Sequence, residues 1–226
     1  TVAGEVSMTT LDIGGTNVTS DATELNLLDG KAATNLALVG KTEGTNFTGS
    51  LLVGHATTGT LDAAQYNTGI GIGAMDAITT SDKNTVVGYD AGTGITTSPS
   101  NTFVGRAAGQ LVTTGSGGNA FFGEASGFYH TGTANTAVGK SAMQGGGTTK
   151  NGNENTAIGS KALLGSGTGG RNTGVGYNSG AAIYDGGNNI TIGYNSGDNI
   201  TSGDGNVIIG SINADSATGD KQLIVA

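Results

Sequence analysis

A frame of the form Asn-Thr-x-(Val/Ile)-Gly-x-x-(Ala/Ser) returns about every seventeen residues through most of this chain. It begins at Asn67, Asn84, Asn101, Asn119, Asn135, Asn155, Asn172, Asn189 and Asn206, with steps of 17, 17, 18, 16, 20, 17, 17 and 17. A degenerate copy starts one step earlier, at Ser50, and continues Leu51-Leu52-Val53-Gly54. One such unit buries too little apolar surface to fold alone, so the period predicts a stack in which neighbours share a continuous core. Regularity of this kind also argues against an enzyme, because an active site needs unlike polar groups converging at one place.

Composition agrees with short strands joined by tight turns. The 226 residues include 44 Gly and 1 Pro, and only 12% are charged. Glycine at that level without a three-residue period excludes collagen. Low charge combined with many Val, Ile and Thr argues against disorder and for strands. The absence of Cys removes disulfide frameworks and thiolate metal sites. A net charge of −8 argues against a nucleic-acid surface, which needs a basic stripe. No apolar run approaches the ~18 residues of a membrane span. The chain opens on Thr1 with neither an initiator Met nor a signal-like segment, which reads as a processed or partial chain.

Each column of the frame has a physical reading. The fifth position is Gly in every copy: Gly54, Gly71, Gly88, Gly105, Gly123, Gly139, Gly159, Gly176, Gly193 and Gly210. A side chain is excluded there, either by positive φ or by a backbone too close for a Cβ. The bulky residue before it (Val53, Ile70, Val87, Val104, Phe122, Val138, Ile158, Val175, Ile192, Ile209) is expected to form the core. Alternation then places the Thr column on that same inner face and points the intervening residue (Gly69, Val86, Phe103, Phe121, Ala137) outward. A small residue past the Gly (Ala74, Ala91, Ala108, Ser126, Ala142, Ala162, Ser179, Ser196) marks the turn, and a second apolar column follows at Ile78, Ile95, Val112, Ile183 and Ile200. Stacked Asn residues roughly 4.8 Å apart are expected to hydrogen-bond along the axis as an amide ladder. The expected fold is all-β: a β-roll or β-solenoid rod of about ten seventeen-residue repeats over 50–212, with 213–226 as a transition segment. Residues 145–152, which carry the twenty-residue step, should bulge as a surface loop. Residues 1–49 read as a connector or assembly collar, with a short helix near 22–29 capped by Asp21 and Gly30.

Chemistry-bearing motifs are sparse. His55 and His130 are isolated, and His130 occupies the second apolar column, where a packed neutral ring fits. Gly165-Ser166-Gly167-Thr168-Gly169-Gly170 satisfies Gly-x-Gly-x-x-Gly but lacks the strand-then-helix context of a nucleotide site. Turns such as Gly203-Asp204-Gly205-Asn206 and Asn151-Gly152-Asn153-Glu154 faintly resemble calcium-binding β-roll turns, yet their Asp residues do not recur with the period. Asn-x-Ser/Thr sequons fall at Asn17, Asn46, Asn189 and Asn199. Ice binding by a Thr array is disfavoured if the Thr column faces the core. No catalytic residue, cofactor or metal is expected.

The repeats Asn101-Thr102-Phe103-Val104-Gly105-Arg106-Ala107-Ala108-Gly109 and Asn135-Thr136-Ala137-Val138-Gly139-Lys140-Ser141-Ala142 resemble those of bacteriophage tail-fibre proteins, especially from phages of marine bacteria and cyanobacteria. Ala22-Thr23-Glu24-Leu25-Asn26-Leu27-Leu28-Asp29-Gly30 is similar to a connector recurring in such fibres, and 217–226 resembles their passage toward a C-terminal domain. The frame also resembles the head repeats of trimeric autotransporter adhesins, which are shorter. The resemblance implies a homotrimer, virion-borne or extracellular, working in host attachment with other virion tail proteins and a host-surface glycan or protein as partners. It implies no nucleic acid and no membrane insertion. A shaft fragment or matured product is expected, acting as a spacer more than as a direct receptor binder. A bacterial trimeric surface adhesin is the alternative.

Overall fold

The computed structural model of the chain describes residues 11–13, 16–18, 40–42, 44–54, 58–113, 115–146 and 151–226. It divides into two compact units, Thr1–Leu38 and Val39–Ala226. In the first unit β1 (Leu11–Ile13) and β2 (Thr16–Val18) pair antiparallel, with Leu11 opposite Val18 and Ile13 opposite Thr16. Two glycines, Gly14 and Gly15, separate the strands in sequence, the spacing and residue type of a two-residue hairpin. The helix expected near 22–29 lies outside the described residues.

The second unit is a β-solenoid. β3 (Gly40–Thr42) pairs antiparallel with β4 (Leu51–Val53). From β4 onward all neighbours are parallel: β5 (Thr68–Ile70), β6 (Thr85–Val87), β7 (Thr102–Val104), β8 (Ala120–Phe122), β9 (Thr136–Val138), β10 (Thr156–Ile158), β11 (Thr173–Val175), β12 (Ile190–Ile192), β13 (Val207–Ile209) and β14 (Leu223–Val225). The eleven parallel strands, one per turn, stack in sequence order, and the described residues contain no helix. The array therefore runs past residue 212: β14 continues the sheet, with Leu223 opposite Val207 and Val225 opposite Ile209. Register keeps like on like, as in Thr85 beside Thr102 and Val87 beside Val104.

The face assignment expected from sequence is inverted. The middle residue of each three-residue strand points into the core: Leu52, Val86, Phe103, Phe121, Ala137, Ala157, Thr191 and Ile208 are buried. The bulky column before the Gly points out, with Ile70 44% and Phe122 39% exposed. The Thr column shares its face, as alternation requires, but that face is the outer one. The reason is the Asn. Every ladder Asn is buried, and with the Asn inside, the period of two sends the Thr out, the next residue in, and the Val or Ile out.

Glycine at the fifth position is forced twice over. Gly71 and Gly88 have φ of 137° and 142°. A Cβ on Gly71 would come within 2.3 Å of the Gly88 carbonyl oxygen in the next rung, and one on Gly88 within 2.4 Å of the Gly105 oxygen. Beyond the Gly, φ alternates in sign, with Ala107 and Gly109 both at 57°. Alternate N–H groups thereby reach opposite neighbours: Ala107 donates back to Tyr89 (2.8 Å) and Gly109 forward to Ser126 (2.9 Å), while Ala108 between them donates to Gly105 in its own turn (3.2 Å). Even the turns are thus hydrogen-bonded from rung to rung, so their carbonyls and amides are satisfied without a helix or a further sheet.

In most rungs the core is filled from one of two places; the β11 rung has Gly at both, Gly174 and Gly180, and the Leu163 side chain of the rung before occupies the space, 2.9 Å from where either Cβ would lie. Where the strand contributes Phe103 or Phe121, the turn residue beneath it is Gly109 or Gly127. Where the strand contributes only Gly69, Ala137 or Ala157, the turn contributes buried Met75, Met143 or Leu163. The exchange is steric: a Cβ on Gly109 would lie 2.4 Å from the Phe103 ring, and one on Gly69 would lie 2.7 Å from the Met75 methyl. Phe103 and Phe121 stack with centroids 5.0 Å apart, and the second apolar column of Ile78, Ile95, Val112, Ile183 and Ile200 is buried in the same core. Met75 and Met143 accept left-handed φ of 57° and 50° to reach the core. That conformation costs a non-glycine residue about 1–2 kcal/mol, less than the 2–5 kcal/mol at stake in emptying a buried Met site.

This exchange predicts a non-additive double mutant. Phe103→Ala should destabilise the solenoid by about 3–5 kcal/mol, and Gly109→Met alone should also destabilise it through the clash. Combined, the two substitutions recreate the Ala137–Met143 rung and should recover much of the loss in urea melts. Equal cost of Gly109→Met in both backgrounds would refute the exchange.

Candidate functional surfaces

The Asn ladder is continuous. The backbone N–H of each successive Asn donates to the Oδ1 of the Asn before it, from Asn84 on Asn67 to Asn206 on Asn189, at 2.8–3.0 Å throughout. The amide nitrogens donate along the stack and to turn carbonyls. Asn101 Nδ2, for example, reaches Asn84 Oδ1 at 3.2 Å and the Ser98 carbonyl at 2.9 Å. At one end the Asn67 N–H donates to Ser50 Oγ (2.9 Å). At the other, Gln222 takes the ladder position, giving its N–H and Nε2 to Asn206 Oδ1. Its own Oε1 turns back to accept from the Ser216 N–H (2.8 Å). Sequence reading missed this last rung because Gln replaces Asn. The available signal was an apolar triplet, Leu223-Ile224-Val225, one period after Val207-Ile208-Ile209.

The outer sheet face carries two parallel ranks. The first is Leu51, Thr68, Thr85, Thr102, Ala120, Thr136, Thr156, Thr173, Ile190, Val207 and Leu223. The second is Val53, Ile70, Val87, Val104, Phe122, Val138, Ile158, Val175, Ile192, Ile209 and Val225. None of these positions is charged. Charge begins at the border just past the Gly column, where Glu124 bridges Arg106 (2.6 Å) and Lys140 (3.2 Å) across three rungs. The hydrogen bond to Arg106, then that to Lys140, holds the Glu124 carboxyl below its ordinary range, and Glu124 in turn raises the Arg106 guanidinium. Further along the same border, Tyr177 and Tyr194 are exposed and stacked with centroids 5.4 Å apart.

The remaining candidates are engaged in rung-to-rung bonding. His130 is buried; the Gly132 N–H donates to its Nδ1, its Nε2 lies 3.3 Å from Ser166 Oγ, and its ring centroid lies 6.4 Å from that of Phe121. His55 lies outside the described residues, as do residues 147–150 of the expected loop. The Gly165–Gly170 run lies between parallel strands β10 and β11, with no helix after it. Asp204 Oδ1 accepts from the Gly187 N–H (2.6 Å), and Asn153 Oδ1 accepts from the Thr133 N–H (2.7 Å). Among the described residues no three His, Asp or Glu side chains converge as metal ligands. Of the sequons, Asn189 is buried in the ladder, while the amides of Asn46 and Asn199 donate to the carbonyls of Leu61 and Ala214. A shallow groove lies beside Asn153, Glu154, Thr168 and Arg171, but Arg171 is paired with Glu154 (2.8 Å) and Thr168 with Asp185 (2.7 Å). Among the described residues no helix is long and apolar enough to cross a membrane.

Two expectations follow. Asn101→Ala strips the acceptor from the Asn119 N–H and Nδ2 (3.0 and 3.1 Å) and should cost about 3 kcal/mol or more in urea unfolding, since buried groups are left unpaired. Glu124, whose folded-state carboxyl is depressed, adds stability that is present above the ordinary carboxylate range and lost as pH falls through its lowered value. Melting temperatures of Glu124→Gln and wild type should therefore converge in acid and in high salt. Comparison of the chain with models of protein families, with curated proteins and with solved structures finds no match.

Proposed function

We propose that this chain is the structural and adhesive shaft of an extracellular fibre, of the phage tail-fibre type, assembled as a homotrimer. Its role is to hold or extend an attachment tip toward a host-surface glycan or protein, in company with other virion tail proteins. It performs no catalysis. The observation that carries the reading is the outer sheet face: eleven rungs of uncharged, largely aliphatic side chains along one side of a rigid stack. An apolar strip of that length is an assembly surface, and a slender coil with a small private core gains most from covering it with copies of itself. The resemblance of the repeats and of the 22–30 connector to tail fibres supports the same reading. A trimeric bacterial surface adhesin would use the face in the same way.

The outward Thr rank invites a second reading, in which the face binds ice. The rank is broken by Ala120, stands beside the protruding Phe122 of the second rank, and turns aliphatic from Ile190 onward, so it does not present the uniform flat lattice that an ice plane needs.

The native mass of the purified chain tests the proposal. Light scattering should give three times 22.0 kDa. A stable single-chain mass at micromolar concentration would overturn the trimeric shaft and leave the face for another partner.

A further inference from the structure

The two ranks of the outer face each have one exception to their size rule, and both fall on the same rung. In the first rank every residue is Thr or larger except Ala120. In the second every residue is Val or Ile except Phe122. Their neighbours follow the rule on both sides: Ala120 lies between Thr102 and Thr136, and Phe122 between Val104 and Val138. An oversized side chain and an undersized one at a single level of an otherwise uniform surface form a knob and a hole. Phe122 is 39% exposed in the single chain.

Symmetry decides what such a pair can serve. When identical rods associate by rotation about an axis parallel to the stack, the first rank of one copy comes to face the second rank of its neighbour, at the same level. A rotation about an axis across the stack reverses one copy, and level then matches level only at the crossing point. A staggered association displaces every level by a whole rung, about 4.8 Å. Only the parallel, unstaggered arrangement sets Phe122 of every copy against Ala120 of the next, and it does so identically all round a closed ring. In any other register Phe122 meets a Thr or a bulkier residue, and Ala120 faces a Val or Ile that leaves a void.

We infer that copies of this chain pack through the outer face of β4–β14 in parallel and in register, and that Phe122 of one copy seated over Ala120 of the neighbouring copy sets that register. This rests on the self-assembling shaft proposed above. The occupant is a second copy because the face is uncharged and its ridges repeat at the rung spacing, which a partner must share over eleven levels. About 50 Å of stack by about 16 Å of width, from the first rank to the residue past the Gly, gives roughly 800 Å² per copy. Divided between the two neighbours of a closed ring, it gives roughly 400 Å² per copy at each contact and roughly 2,400 Å² over the whole trimer, in the range of permanent assemblies.

The chain contains no Cys, so single cysteines report register directly. Chains carrying Ala120→Cys are co-assembled with separately tagged chains carrying Phe122→Cys, and disulfide formation between unlike chains is followed on non-reducing gels. Ala120→Cys paired with Val87→Cys serves as comparison, since β6 lies two rungs from β8. At about 9.6 Å of offset those sulfurs are beyond bridging reach. The expected result is roughly tenfold or more faster cross-linking for the level pair than for the offset pair. Equal rates, or faster cross-linking of the offset pair, in a preparation whose native mass is still that of a trimer would overturn the in-register packing and leave the shaft reading standing. A monomeric mass for the wild-type chain would overturn both. Ala120→Thr provides a second readout: it should weaken association at least tenfold while leaving the thermal melt of dilute single chains unchanged. Loss of single-chain stability instead would place the knob and hole within one copy and overturn the inference.

Discussion

The burial of one amide per rung governs this structure. Each Asn Oδ1 receives the backbone N–H of the next Asn, so the side chain supplies what a regular sheet would take from a neighbouring strand. This bond fixes which way the chain enters each strand. With strands of only three residues, that entry determines everything else: the middle residue goes in, the outer two go out, and the backbone must reverse at the fifth position. There the carbonyl of the rung above leaves no room for a Cβ. The glycine column is a consequence of stacking distance, and the distance is held by the amides.

Much of this was legible in the sequence, and the part that was not has a clear cause. Period, turn positions, the Gly column and the Asn ladder follow from recurrence, because identical residues at identical intervals must occupy equivalent places. The second apolar column at Ile78, Ile95 and Val112 was legible for the same reason. The orientation of the strand was misread because Val53, Ile70 and Val104 are bulkier and more uniform than Leu52, Gly69 and Phe103, and uniform bulk suggests a core. Uniformity here marks the outside. The inside tolerates wide variation because Gly69 is compensated by Met75 and Phe103 by Gly109. A buried Asn and an inward Val three residues later cannot share one face of an extended strand, and that parity argument settles the orientation. The last rung escaped notice because Gln222 and Ala226 stand where Asn and Gly recur elsewhere.

Polar groups that suggested chemistry in the sequence are consumed by the stack. Asp204 and Asn153 each bond to a neighbouring turn, His130 accepts from Gly132 in its own turn and approaches Ser166 Oγ at 3.3 Å, and the ion pairs of Glu124 and Glu154 run from rung to rung. Among the described residues, the outer sheet face leaves a long uncharged surface of Thr and aliphatic side chains.

The uneven filling of the core carries a consequence for folding. Chains built of near-identical units can zip up one unit out of step, trapping a loop of about seventeen residues outside a deceptively complete stack. A perfect repeat would offer no penalty for that error. In this chain a slip by one unit would bring Phe121 over the Phe-free rung of Val86, or Met75 beside Phe103, and would misplace the longer step between Asn135 and Asn155. The irregular sequence of core volumes works as a set of notches, so that the many wrong alignments of a repetitive chain are sterically distinct from the right one.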